Sequence, residues 1–409
     1  MAKVRKEDKL PLRLKQLGKI YRLVEQFEEI SRIDLSKLSQ LAPATITALT
    51  RELIEERLII ERAVQNTESR GRPAVGLCVS PFYWQALCAI LAEDHFDILL
   101  CELDGTPISQ QTYPLTPTDL TDLESVLICH LLHFLNQVQR QLNHPITFSI
   151  AVTGELDKTD NRLCRLGKTE MNLDLQALFA PHFNIPIIVT EYFQTWLLAE
   201  NTLGSVIGCD NVLFVQLGDV INLSAVSQGE ILCRNGHSRI TIDKMIVPKL
   251  SPVQEAINPD LPEIERYQVM NQITHKAVYR LIDHFYPQNN LADNAEKIYF
   301  LCRKVKEGEA QAVEILNHLA DVTAYILMNL VNVFCSKKIM LSSGLPEEVK
   351  DVFLPRINET LNNYLAPNGQ TADVITSQYE WNSPVVVMAA IKQGIYDGSL
   401  LGHLIKDVQ

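Results

Sequence analysis

The sequence lacks the features that mark a secreted, membrane-spanning or disulfide-stabilised protein. It has no run of 18 apolar residues, and its opening stretch MAKVRKEDKLPLRLKQ is charged, so we expect neither a transmembrane helix nor a secretion signal and predict a cytoplasmic protein. The nine cysteines stand singly without a C-x-x-C pair, which argues against a disulfide framework and a cysteine-rich metal site. A chain of 409 residues, 46% of them hydrophobic, can form two or three domains with full cores.

Positive charge is also scarce, and it is unevenly distributed. The net charge is −12, which alone argues against nucleic-acid binding. Residues 1–72, however, carry 15 lysines and arginines against 11 acidic residues, whereas the remainder carries 22 against 38. A weakly basic segment joined to an acidic body is typical of a small DNA-contacting module attached to a larger domain.

Hydrophobic periodicity predicts three short helices at the start of the chain. The first covers residues 12–27. The second follows Ser31, which together with Asp34 fits a helix-capping pattern, and the third begins at Pro43, where the missing N–H costs no hydrogen bond. The inward side of the third helix consists of Ile46, Leu49 and Leu53.

The outward side of the third helix carries small residues and one arginine. It consists of Ala44, Thr45, Thr47, Ala48 and Arg51. Small side chains allow a helix to enter the major groove, where a threonine or alanine methyl contacts thymine and an arginine reaches guanine or phosphate. An ordinary surface helix is the alternative interpretation, and this stretch alone does not decide between the two.

The segment after the third helix favours the DNA-binding interpretation. RLIIERAV predicts a strand, QNTES a turn, and RGRPAVGLCV a returning strand that opens with Arg70, Gly71, Arg72 and Pro73. Two arginines on a glycine at a hairpin tip can enter a narrow minor groove, although R-G-R-P also occurs in flexible linkers. Residues 1–80 are therefore predicted to form a winged helix-turn-helix DNA-binding domain with its linker.

Strands and helices alternate in the rest of the chain, which predicts α/β layers. WQALCAILA, FDILLCEL and PISQQTYPL read as three consecutive antiparallel strands. We assign residues 81–200 to a first α/β lobe and residues 201–409 to a second lobe with a mainly helical carboxyl-terminal part.

Several of these motifs resemble one known family. SRIDLSKLSQLAPATITALTRELIEERLI and RGRPAVGL are similar to the amino-terminal module of the ROK family of repressors, open reading frames and kinases, in the branch of its glucose-responsive and N-acetylglucosamine repressors. The likeness continues to DGSLLGHLI near the end of the chain. It implies that the body has the duplicated actin-like, ribonuclease H-like fold of sugar kinases, whereas periodicity alone supports only α/β.

The resemblance also implies a degenerate kinase site. The family's phosphate turn holds an acidic residue followed by glycines and a threonine, whereas residues 92–95 of this chain read AEDH, and their carboxylates would repel ATP. The position of the family's catalytic aspartate holds Tyr192, preceded by Glu191, and tyrosine with its ordinary pKa of about 10 is a poor general base. We therefore expect no enzyme, with a residual kinase for glucose or an N-acetylated amino sugar as the alternative.

The sugar and zinc positions implied by the resemblance are replaced as well. The family binds sugar through a Glu-Ile-Gly-His motif, whose histidine also binds zinc beside a C-x-C-G-x-x-G-C cluster. Thr241, Asp243 and Lys244 stand at its glutamate, glycine and histidine positions, and residues 246–268 contain no cysteine. His237 reads as an exposed turn histidine. We predict neither a metal nor another cofactor, and expect proline-constrained packing to order the loop PKLSPVQEAINPDLPEIE.

The sequence as a whole predicts a transcriptional regulator, and more specifically a repressor of sugar-uptake or phosphotransferase-system genes. A homodimer or homotetramer would present paired modules to a palindromic operator. The resemblance implies induction either by a sugar phosphate in the old kinase pocket or by capture on a phosphotransferase-system glucose transporter domain, without membrane insertion. The replaced sugar positions favour the protein partner. A sugar-phosphate-induced repressor and an interaction scaffold that keeps the helix-turn-helix only for packing are the further alternatives.

Overall fold

The structure is a computed structural model. It describes residues 10–63, 75–157, 160–232, 240–257, 260–288, 291, 294–343, 345, 347–379 and 383–405. Within these ranges no helix is both long and apolar enough to cross a bilayer.

Helices and strands are numbered in chain order. The helices are α1 (Leu12–Gln26), α2 (Arg32–Ser39), α3 (Pro43–Glu55), α4 (Leu123–Val138), α5 (Leu175–Phe179), α6 (Tyr192–Leu203), α7 (Glu263–Arg266), α8 (Met270–Ile273), α9 (His275–Phe285), α10 (Asn294–Lys306), α11 (Ala310–Phe334), α12 (Glu347–Leu365), α13 (Pro384–Tyr396) and α14 (Leu401–Leu404). The strands are β1 (Ile59–Ala63), β2 (Val75–Val79), β3 (Gln85–Leu91), β4 (His95–Glu102), β5 (Pro107–Pro114), β6 (Pro145–Val152), β7 (Glu155–Leu156), β8 (Leu163–Leu166), β9 (Thr169–Leu173), β10 (Ile187–Glu191), β11 (Val212–Leu217), β12 (Ile221–Ser227), β13 (Glu230–Ile231), β14 (Ile240–Thr241), β15 (Lys338–Ser343) and β16 (Asp373–Ile375).

The first three helices and two strands form a winged helix-turn-helix module, as predicted. The Ser31 hydroxyl accepts the Asp34 backbone N–H at 3.2 Å and caps α2, and Pro43 is the first residue of α3. β1 and β2 pair antiparallel as the two sides of the wing. The wing tip, with Arg70, Gly71, Arg72 and Pro73, lies outside the described residues.

A five-stranded mixed sheet follows the module, in the order β10-β6-β3-β4-β5. β10, β6 and β3 are parallel, β4 pairs antiparallel with β3, and β5 pairs antiparallel with β4, which confirms the predicted run of three consecutive antiparallel strands. β3 is buried along its whole length because both faces of the sheet are covered. Leu127, Leu131 and Phe134 of α4 belong to the same hydrophobic core as the alternate residues of β3.

A second sheet has the order β13-β12-β11-β15-β16, with β14 paired to β12. Its strands β11, β15 and β16 are parallel. The 25-residue helix α11 contributes the largest helical share to the core beside this sheet because most of its apolar residues are buried. The α/β class predicted for the body is confirmed.

The contacts divide the chain into two compact units, Met1–Ala199 with Tyr379–Gln409, and Glu200–Gln378. The sequence assigned all of residues 201–409 to the second lobe, whereas the segment from Tyr379 onward groups with the first unit. The physical reason is the packing of α13, which lies against β3, β6 and β10 and against α1. The apolar DGSLLGHLI stretch also packs here, since Leu401 is buried and α14 contacts α1.

Candidate nucleic-acid interface and degenerate kinase site

Helix α3 has one buried and one exposed side. Ile46, Leu49 and Leu53 are at most 4% exposed, as the periodicity predicts. The opposite side contains Ala44, Thr47, Ala48 and Arg51, which are exposed, and Thr45, which is half-buried. This side of the helix therefore presents small side chains and one arginine to an approaching surface.

The polar groups on the exposed side of α3 differ in their availability. The Thr47 hydroxyl donates to the Pro43 carbonyl oxygen at 2.9 Å, so its methyl and its lone pairs remain for an outside partner. Arg51 makes no ion pair or hydrogen bond with any described residue, and its guanidinium is free to bind a base or a phosphate.

Two other arginines of the module hold α3 in place. Arg32 donates from Nε to the Thr50 hydroxyl at 2.9 Å and from Nη2 to Glu61 at 2.6 Å, which joins α2, α3 and β1. Arg13 of α1 forms an ion pair with Glu52 of α3 at 2.6 Å. Sequence reasoning missed these structural arginines, although Thr50, a polar residue on the buried side of α3, was a usable signal.

The degenerate kinase positions of the first unit meet at one edge of its sheet. In the register of the parallel strands, Leu91 of β3 and Glu191 of β10 both face Val152 of β6, so the three strands end together. In open parallel sheets this carboxyl edge is where ligands bind. The turn of residues 92–95 joins β3 to β4 at this edge, and the Ala92 N–H donates to the His95 carbonyl at 2.9 Å.

The turn itself contains carboxylates in place of a phosphate-binding surface. Asp94 Oδ1 lies 2.7 Å from His95 Nδ1, and the other ring nitrogen of His95 is 3.9 Å from the buried Asp97. The Glu93 carboxylate lies over Gly167, where an added Cβ would come within 2.0 Å of it. Backbone N–H groups at a glycine-rich turn would attract phosphate, whereas this acidic cluster repels it.

Tyr192, at the position of the family's catalytic base, is turned into the protein. It is fully buried at the start of α6, with its ring edge-on to Trp196 at 6.1 Å. Burial, together with the charge of Asp97, raises the pKa of the Tyr192 phenol above its ordinary value. Its neighbour Glu191 is 6% exposed. A buried phenol with a raised pKa cannot take a proton from a substrate at neutral pH.

The remaining sugar positions lie in the second unit. Thr241 pairs with Asn222 in the β14–β12 ladder. The Asp243 carboxylate accepts the Ile221 N–H at 3.2 Å, and its carbonyl accepts the Met270 N–H, so Asp243 stabilises the local fold. Lys244 is exposed. Glu191 and Tyr192 belong to the other unit.

The loop that zinc would order in a family member is held by a glutamine. Gln254 is completely buried; its Oε1 accepts the N–H groups of Leu250 and Ser251, and its Nε2 donates to the Pro248 carbonyl at 3.1 Å. The sequence predicts proline-constrained packing for this loop, and the structure adds the hydrogen bonds of Gln254 to its backbone. Among the described residues no group of three His, Cys, Asp or Glu side chains could hold a metal, and His237 lies outside them.

The carboxyl ends of β11 and β15 in the second unit border a small cavity. Its lining consists of Leu217, Ile273, His275, Val278, Ile298, Leu319, Thr323, Ser343, Leu345 and Phe353. The lining is mostly apolar and includes no lysine or arginine, so it offers nothing to neutralise a triphosphate.

Residues 91–236 match the ROK family, over a range that starts at the end of β3 and contains Tyr192. The chain carries a ROK domain. This domain includes the turn of residues 92–95 and the α/β edge described above. The resemblance inferred from the sequence is confirmed.

Similarity extends well beyond the ROK domain. The chain is 26% identical to the DNA-binding transcriptional repressor Mlc of Escherichia coli strain K12 over 392 residues, 95% of each chain. It is 25% identical to the DNA-binding transcriptional dual regulator NagC of the same strain over 399 residues, covering 96% of this chain and 97% of NagC. A crystal structure of a ROK family transcriptional regulator, a homolog of the E. coli Mlc protein, superposes with a TM-score of 0.80 at 25% identity and covers 97% of this chain and 99% of its own.

Proposed function

We propose that this chain is a cytoplasmic transcriptional repressor that binds double-stranded DNA through α3 and the β1–β2 wing. The observation that carries the proposal is the exposed side of α3, where the small residues Ala44, Thr47 and Ala48 lie beside Arg51. A helix of this composition can lie close to base edges in the major groove. The similarity to Mlc and NagC, both DNA-binding transcriptional regulators, supports it.

Each group on this side of α3 has a role that its geometry allows. Arg51 reads guanine or contacts a phosphate, because its guanidinium has no partner among the described residues. The Thr47 hydroxyl already donates a hydrogen bond to the Pro43 carbonyl oxygen, so Thr47 offers its methyl to thymine or accepts a hydrogen bond from an adenine or cytosine amino group. Arg70 and Arg72 of the wing read minor-groove width from a neighbouring position.

A single module contacts too few base pairs for useful specificity, so we infer a twofold assembly on a palindromic operator. Its half-sites lie whole turns of the duplex apart because both modules must face the same side of the DNA. The assembly is a homodimer or a homotetramer, and the genes it represses serve sugar uptake and metabolism.

We infer that a protein partner, and not a sugar, releases the repressor from DNA. The acidic turn at residues 92–95, the buried Tyr192 and the exposed Lys244 leave the old pocket without its sugar and phosphate chemistry. A phosphotransferase-system transporter domain is the partner class that fits a repressor of sugar genes. Titration calorimetry that detected tight binding of glucose, glucose 6-phosphate or an N-acetylated amino-sugar phosphate would overturn this inference.

The same residues argue that the chain is not a sugar kinase. A kinase needs a base beside the sugar hydroxyl and a surface that neutralises the phosphates. Tyr192 is buried with a raised pKa, and the turn at residues 92–95 is acidic. ATP-dependent phosphorylation of glucose or N-acetylmannosamine by the purified chain, above the background of a Tyr192→Phe variant, would contradict this conclusion.

The central experiment is selection from a library of random DNA duplexes by the full chain, followed by footprinting of the enriched sequences. We expect enrichment of palindromes with two equal half-sites and protection on one face of the duplex. If no sequence is enriched, and if the protein does not retard DNA from the promoter region of its own gene in a gel, DNA binding is rejected and a scaffold is favoured.

A further inference from the structure

A buried ion pair joins the DNA-binding module to the last long helix. Lys392 of α13 is 1% exposed, and its ammonium contacts one carboxylate oxygen of Glu25 in α1. The hydroxyl of Tyr396, one turn further along α13, donates to the other carboxylate oxygen. The Lys392 nitrogen also lies 5.9 Å from the ring centroid of Tyr21, which is fully buried. Lys392 and Tyr396, on one face of α13, therefore bind both carboxylate oxygens of Glu25.

The two helices approach each other so closely that only glycine fits at the crossing. A Cβ added to Gly18 of α1 would lie 2.2 Å from the Tyr396 carbonyl oxygen. Just after the end of α13, a Cβ on Gly398 would lie 2.6 Å from the backbone of Leu14, one turn before Gly18 in α1, and Gly398 has φ +89°. Backbone therefore packs against backbone, and small rotations of α1 on α13 would produce clashes.

The crossing lies within a continuous series of contacts between the sheet and α3. Met388 of α13 packs its sulfur 3.8 Å from the sulfur of Cys88 in β3. α1 in turn contacts α3, through packing and through the ion pair of Arg13 with Glu52. The position of α3 is thus determined through α13 and not only through the short connection from β2 to β3.

The chemistry of the crossing favours one arrangement of α1 on α13 over all others. A buried ion pair adds little net stability compared with apolar side chains of the same size, but separating its members leaves a buried charge without a partner, which is strongly unfavourable. Any shift that separated Glu25 from Lys392 would carry this penalty in addition to the backbone clashes at Gly18 and Gly398.

We propose that Glu25 and Lys392 are positioning residues that set the orientation of α3 and thereby the half-site spacing that the repressor accepts. The proposal rests on the DNA-binding function proposed above and on a twofold assembly. The repressor's ligand is then a palindromic duplex with one preferred spacer, because rigidly held modules can match only one separation of the two half-sites.

The test compares spacer preference with stability. The variant Glu25→Leu/Lys392→Met/Tyr396→Phe removes the charges and the hydroxyl together and leaves none of the three without a partner. The probe is the palindrome selected by the wild-type chain, rebuilt with spacers lengthened by one to ten base pairs. A matched control, Glu155→Leu/Arg165→Met, removes a more exposed ion pair between β7 and β8 of the same unit.

We expect the wild-type chain and the control to lose about tenfold or more in affinity when the spacer changes by half a turn, about five base pairs. The triple variant should keep its affinity for the best spacer within about threefold and lose part of this discrimination, since the backbone contacts at Gly18 and Gly398 remain, with an unchanged or higher thermal midpoint. A triple variant that folds and keeps the wild-type spacer preference would overturn the proposal. So would a Lys392→Met single variant that keeps it.

A second measurement is independent of DNA. The indole N–H of Trp84, just before β3, donates to the Glu56 carbonyl at the end of α3 at 2.7 Å. The environment of Trp84 therefore reports the position of α3 relative to β3. Fluorine NMR of 5-fluorotryptophan-labelled protein, with Trp84 assigned by Trp84→Phe, should give one sharp line in the wild type and several or broadened lines in the triple variant. Identical lines in both would overturn the positioning role, whereas a wild type that selects no duplex would reject only the DNA-binding function.

Discussion

The hydroxyl of Ser251 lies 2.9 Å from Nδ1 of His318, a fully buried histidine in α11. Burial lowers the pKa of the His318 imidazole to about 4, and the charge of Asp321 opposes this shift only in part. Nε2 of the ring is buried and has no hydrogen-bond partner among the described residues. The contact therefore connects the glutamine-held loop of residues 248–257 to α11 through a histidine that stays neutral.

This relationship predicts a loss of stability in mild acid. Between about pH 6.5 and pH 4 the unfolded chain protonates His318 while the folded chain does not, so unfolding takes up a proton and stability falls as the pH falls, by up to about 1.4 kcal/mol per pH unit. The stability that is lost in acid is fully present above about pH 6.5, where His318 is neutral in both the folded and the unfolded chain. Urea unfolding at several pH values gives the free energy of unfolding as a function of pH, and this pH dependence should be weaker for His318→Asn than for the wild type. The exposed His284→Asn is the control, and equal slopes for all three proteins would contradict the prediction.

The glutamine that holds the same loop can be tested separately. Gln254→Ala removes three hydrogen bonds and leaves the N–H groups of Leu250 and Ser251 with no side-chain acceptor. We expect the free energy of unfolding of the second unit to decrease by about 2–4 kcal/mol. Glu255→Ala, at an exposed neighbour, should change it very little. Equal urea midpoints for Gln254→Ala and Glu255→Ala would show that the prolines alone order the loop.

The elements that the sequence predicts best are those with local signals. Ser31 and Pro43 mark the starts of α2 and α3, and the spacing of Ile46, Leu49 and Leu53 determines which side of α3 is buried. These signals depend on neighbours within one or two helical turns, so a single sequence contains them.

The features that the sequence does not predict depend on distant or isolated residues. Glu25 and Lys392 are 367 positions apart, and no local pattern relates them. The small sheet of β7, β8 and β9 has short strands without a clear alternation. Gln254 is one glutamine in a loop, and its role is defined only by the three backbone groups around it. Packing of the chain end against the first unit is unpredictable for the same reason.

The exposed arginine of α3 gives a direct test of base reading. Arg51→Ala should weaken binding to the selected operator by about 1–3 kcal/mol and relax the preference at one base position in each half-site. A phosphate contact would instead weaken all sequences equally and lower the salt dependence of binding. Arg140→Ala, at an exposed arginine beyond α4, is the matched control. Unchanged affinity of Arg51→Ala for both selected and unselected duplexes would remove this residue from the interface.

The wing can be tested at Arg72, which lies outside the described residues but belongs to the predicted tip. Narrow minor grooves in A·T-rich DNA concentrate negative potential, and arginine enters them more readily than the more strongly hydrated lysine. We therefore expect Arg72→Ala to reduce affinity most for operators with A·T-rich flanks, and Arg72→Lys to recover only part of the loss although it keeps the charge. Full recovery by lysine would indicate a simple phosphate contact. The affinity of Arg72→Ala can be measured by footprinting on operators with A·T-rich and with G·C-rich flanks. Unchanged affinity for both would show that the wing does not touch DNA, because a residue that reads groove width must respond to the flanking sequence.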